Sequence, residues 1–272
     1  MQIKNLLWSG CSFSAGNGFC TIEEWDEPDW EFQFSHEGLK KYFEPPFTYG
    51  RVQSQIKELI FPNQLGKKLN CDLIKNFSVA GLGYPIHLRK IFSYLITNPE
   101  KLDFSETVIG IQLTSLQRDE LNVSKNDDIE FQFLDGTVGE DVSANYIKNH
   151  WNPHYSVMKS LQDLLVFKGW CENMGIRIHY FGFHNSTKEQ IKGLVFDKHR
   201  KQINSHGITH DGIDFPNIHE IISKLNIIEI PKIPYGTFVS EGYHDDTHYS
   251  PNGHTKIANE LYKIFTTQLG YE

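Results

Sequence analysis

Two short stretches, far apart in the chain, contain side chains able to cooperate in nucleophilic chemistry. Near the start, "GCSFSAG" places Ser12 and Ser14 directly after an apolar run, and near the end "DDTH" places Asp245 three residues before His248. A serine hydroxyl is a weak nucleophile until an imidazole removes its proton, and the imidazolium so formed needs a carboxylate to orient it. Three-residue spacing on one turn lets Asp245 and His248 face a common neighbour. An oxyanion developing on the substrate also needs donors aimed at it, which the glycine turn at Gly81 and the hydroxyl of Thr114 can supply. Asp246 is the alternate orienting carboxylate, and Cys11 would be the nucleophile of a thiol variant. Without the distant Asp-His pair, Ser12 would read as a helix N-cap, and Ser14 is a capping or supporting serine.

Other chemistries fit less well. "GCSFSAGNG" lacks the Lys-Ser/Thr ending of a phosphate loop and is not Gly-x-Gly-x-x-Gly. "HGITHDGID" gathers His206, His210, Asp211 and Asp214, but on a glycine-containing loop without the rigid helix that gives paired histidines zinc geometry. No metal or organic cofactor is expected. The four cysteines, Cys11, Cys20, Cys71 and Cys171, form no Cys-x-x-Cys pair and read as reduced thiols.

Composition narrows the partners. With 26 basic against 34 acidic residues, the formal charge of −8 gives no basic surface for nucleic acid, and the densest basic stretch is only "DKHRKQ". No run approaches the 18 or so apolar residues of a membrane span. "LLWSGC" resembles a lipoprotein cleavage box, but its apolar stretch is too short for a signal, so the N-terminus reads as mature structure in the cytoplasm. Composition leaves the oligomeric state open.

These residues must be held by elements whose patterns alternate. "IKNLLWSG", "CDLIKNFSVAGLG" (a strand running into a glycine turn), "ETVIGIQLTS", "IRIHYFGF" and "IIEIP" read as strands. Between and after them come helical segments at 51–70 with a break near Pro62, at 84–98 with Ile86, Ile91 and Leu95 on the apolar face, at 155–175, at "IHEIISKL", and at 250–269. Such alternation argues for an α/β fold with a mainly parallel sheet, whose ligands bind at the carboxyl ends of the strands. All 272 residues are expected to form one domain carrying two irregular insertions, at about 21–50 and 119–155. The first insertion is rich in aromatics, among them Trp25 and Trp30, which can wall an acyl or sugar site or else pack as a lid or a dimer contact. Arg118 is either a salt-bridge partner or a contact for an anionic substrate.

Taken together, these blocks resemble the SGNH (GDSL-type) serine hydrolase family. "GCS" matches its first block at Ser12, "NFSVAGLG" offers the asparagine and glycine of its second at Asn76 and Gly81, and "DDTHYSPNGH" matches its Asp-x-x-His block at Asp245 and His248. The third block departs: "TSLQR" puts Thr114 where the family has its oxyanion asparagine. The resemblance implies a flavodoxin-like three-layer α/β sandwich of SGNH hydrolase type. It further implies an acyl-enzyme esterase with Ser12, His248 and Asp245 as triad, and with Ser12, Gly81 and Thr114 as oxyanion hole. Carbohydrate O-acetyl esters would be the substrates. An O-acyltransferase on the same fold, or a catalytically weak binding protein, are the alternatives that the divergent third block keeps open.

Overall fold

A computed structural model of the chain describes residues 2–10, 14, 58–78, 84–113, 119–125, 128–134, 153–182, 218–230, 249 and 251–271. The elements fall into two compact units, Met1–Gly81 with Lys232–Glu272, and Leu82–Pro231. Both are α/β with parallel strands in the sheet, as the alternation of patterns requires.

In the first unit, β1 (Asn5–Ser9) is buried at all five positions and pairs in parallel with β2 (Leu73–Asn76), Trp8 standing opposite Asn76. Pairing extends past β2, where Phe77 N donates to the Trp8 carbonyl at 2.7 Å. Between them runs α1 (Phe61–Lys68), and the chain ends in α5 (Pro251–Lys263) followed by a π-helical turn at Ile264–Gln268. Helix α1 packs on both α5 and β2. Its approach to β2 depends on Gly66, where a Cβ would come within 2.5 Å of the Ile74 side chain. The break expected near Pro62 marks the start of α1: Pro62 lies in its first turn, where the missing N–H costs nothing. The helix ends on Asn70 at φ 54°, with Cys71 N bonded back to Gly66 O, a left-handed cap that asparagine tolerates.

In the second unit, β3 (Thr107–Leu113), β6 (Arg177–Gly182) and β7 (Ile228–Glu229) run parallel in that order. Every residue of β3 is buried, as its unbroken apolar run foretells. Helices α2 (Tyr84–Thr97) and α4 (Ile218–Leu225) each pack on α3 (Pro153–Asn173). The Tyr180 hydroxyl of β6 donates to the Leu164 carbonyl of α3 at 2.6 Å. Helix α3 closes at Gly175, whose φ of 78° suits glycine, with Ile176 N bonded to Cys171 O. Two expectations shift here. Helix α2 buries Tyr84, His87, Leu88, Ile91 and Leu95, leaving Ile86 half-buried at the edge of that stripe. The stretch 119–155 is not wholly irregular: β4 (Asp119–Lys125) and β5 (Asp128–Leu134) form an antiparallel two-stranded sheet with Leu121 opposite Gln132 and Val123 opposite Glu130, and α3 begins at Pro153. The insertion expected at 21–50 lies outside the described residues.

Candidate active site

Ser12, Cys11, Gly81, Thr114, Arg118, Trp25, Trp30, Asp245, Asp246 and His248 lie outside the described residues, as do His206, His210, Asp211 and Asp214. The described residues around these positions show how the segments carrying them are anchored.

The serine segment is anchored from β2. Ser14, two positions beyond Ser12, is helical and fully buried, and its carbonyl accepts a hydrogen bond from Asn76 Nδ2 at 2.7 Å. Asn76 is the last residue of β2, and its Oδ1 accepts from the Ser78 amide at 3.1 Å. One carboxamide therefore donates to Ser14, beyond β1, and accepts from Ser78, just beyond β2. The alternation of a parallel sheet explains the arrangement: two adjacent strands running the same way release their turns at the same edge. Asparagine is suited to this place because its side chain both donates and accepts.

The histidine segment is anchored through rings. Tyr249, directly after His248, is 1% exposed and packs edge-on against His254, with centroids 6.0 Å apart. His254, in the first turn of α5, is fully buried and stacks on Phe61 at 5.6 Å and 23°. Its Nδ1 accepts a hydrogen bond from Phe61 N at 3.1 Å, across 193 positions of sequence. That bond places the ring proton on Nε2 and leaves the imidazole neutral. Phe61 in turn meets Trp8 of β1 edge to face at 5.5 Å and 90°. A continuous buried row, Trp8–Phe61–His254–Tyr249, thus joins the strand leading into Ser12 with the residue following His248.

No neighbour of His254 in sequence announces the partner it takes, a backbone amide 193 positions away. The signal that was available lies at the start of α1, where Ile60 occupies the capping position and has no side-chain hydrogen bond. A helix beginning without Ser, Thr, Asp or Asn at its cap must find an acceptor for its first amides elsewhere.

The two described thiols, Cys71 half-buried and Cys171 buried, are held in the protonated form. Burial, with a smaller contribution from Asp72, pushes Cys71 up to about 12, and burial with Glu172 does the same to Cys171. Among the described residues no group of three or more His, Cys, Asp or Glu is placed to hold a metal ion, and no helix is long and apolar enough to cross a membrane.

No family model and no curated protein matches the chain. Among solved structures, the chain is similar to a carbohydrate esterase whose active site displays divergent catalytic and non-catalytic binding functions. The two share 15% identity with a TM-score of 0.48, over 100% of this chain and 71% of the other.

Proposed function

We propose that the chain is a serine esterase of the SGNH type. Ser12 Oγ attacks the carbonyl carbon of an ester while His248 takes the hydroxyl proton and Asp245 orients the imidazole. The amides of Ser12 and Gly81, with the Thr114 hydroxyl, hold the oxyanion of the tetrahedral intermediate. Collapse breaks the bond to the alcohol, which leaves with the proton from His248. Water then gives a proton to His248 and attacks the acyl carbon; the bond to Ser12 Oγ breaks, His248 returns that proton to Oγ, and the carboxylic acid leaves. Small acyl groups, above all O-acetyl groups on carbohydrate, are the proposed substrates, with Trp25 and Trp30 against the sugar and Arg118 at its polar end. This chemistry calls for no cofactor.

The observation that supports this reading is the double use of Asn76. It joins Ser14, two positions beyond the proposed nucleophile, to Ser78, three positions before the proposed oxyanion glycine, and an acyl-transfer site needs two such segments to share one substrate atom. Turnover of p-nitrophenyl acetate and longer esters by the wild type, abolished in Ser12→Ala, is the expected result. Equal turnover by the two proteins would overturn the proposal.

A further inference from the structure

We propose that His254 is a positioning residue for His248, a role that rests on the triad reading above. Four observations carry it. His254 stands fully buried in the first turn of α5, six positions after His248. Its Nδ1 is committed to the Phe61 amide at 3.1 Å, so the ring cannot turn without leaving that buried N–H unpaired. One face of the ring lies on Phe61, and the ring of Tyr249 meets it at 78°. Phe61 is itself fixed against Trp8, which belongs to the strand leading into Ser12.

The consequence is geometric. Tyr249 is held against a ring whose orientation is set by α1 and, through Phe61, by β1, so the residue that follows His248 is referenced to the strand that precedes Ser12. The Phe61 amide is the first of α1, one that a capping side chain does not reach, and the ring that accepts from it is also the wall against Tyr249. General-base catalysis requires the imidazole within hydrogen-bond reach of the serine, and a small displacement of its backbone carries a large penalty in rate. Because His254 acts through Tyr249 rather than on the substrate, its loss should slow chemistry and leave binding intact.

The test is His254→Phe, which keeps a ring and removes the acceptor, with Tyr249→Leu as the second variant should the first not fold. The expected result on p-nitrophenyl acetate is a kcat lowered about tenfold or more, a KM within about twofold of wild type, and a displaced acidic limb of the pH profile. A merely structural role would lower the melting temperature and leave kcat per folded molecule and the pH profile where they were. That outcome in the folded variant overturns the positioning role alone. A wild type that neither turns over esters nor is labelled by a fluorophosphonate overturns the triad reading, and the positioning role falls with it.

Discussion

Asn76 Nδ2 donates to the carbonyl of Ser14 at 2.7 Å, so the end of β2 holds a helical residue five positions beyond β1. The bond joins residues 62 positions apart, and the same side chain accepts from Ser78 N at 3.1 Å. Asn76→Asp keeps the second bond and turns the first into a repulsion between oxygens. The expected outcome is a fluorophosphonate labelling rate reduced about tenfold or more and a stability loss of roughly 1–3 kcal/mol in urea unfolding. Labelling of folded Asn76→Asp at the wild-type rate would mean that this contact does not place the serine turn.

Gly66 tests packing remote from the chemistry. Its backbone is helical, but an added methyl would run into Ile74 at 2.5 Å, so α1 or the Ile74 side chain must give way. Gly66→Ala is expected to destabilise by about 1–2 kcal/mol despite the better helix propensity of alanine. The labelling rate of the folded fraction should stay unchanged. A gain in stability would show that Ile74, which is half-buried, moves aside freely.

The His179 imidazole in β6 is lowered to about 4 by burial, with Arg177 and then Lys168 adding to the effect. A folded value below the ordinary 6.5 means that the unfolded chain takes up a proton there before the folded chain does. Stability from this residue is therefore full above about 6.5, is lost as pH falls toward about 4, and changes no further below that. The urea midpoint of His179→Gln should fall less steeply than that of the wild type over that window. Equal slopes would contradict the assignment.

Thiols raised to about 12 are almost wholly protonated at pH 8. Iodoacetamide under native conditions should leave the peptides containing Cys71 and Cys171 unmodified, and both should react once the chain is unfolded in urea. Rapid native alkylation of either peptide, read by mass spectrometry, would contradict the burial described for it.

Local pattern carried much of the fold. The run "NLLWS" could only be a buried strand, and Gly175 could be recognised as the end of α3 because its left-handed backbone favours glycine. The hairpin of β4 and β5 was harder to read. Leu121 and Val123 alternate, as do Ile129, Phe131 and Phe133, yet the register sets apolar residues of one strand opposite polar residues of the other, so neither stretch stands out in composition. At the proposed site, the serine and the Asp-x-x-His blocks are read from types and spacing alone and lie outside the described residues. Their supports could not be read that way: the Asn76 bond to a backbone carbonyl and the His254 bond to a backbone amide depend on atoms that every residue has, so no side-chain identity at Ser14 or Phe61 announces them.

The central claim is that Ser12 is an activated nucleophile. Its most direct measurement is the site of fluorophosphonate modification, located by peptide mass spectrometry on wild type, Ser12→Ala and His248→Ala. One adduct is expected, on the peptide containing Ser12, absent from Ser12→Ala and slowed by at least about a thousandfold in His248→Ala. An adduct that persists in Ser12→Ala, or a wild type that is not modified at all, would contradict it.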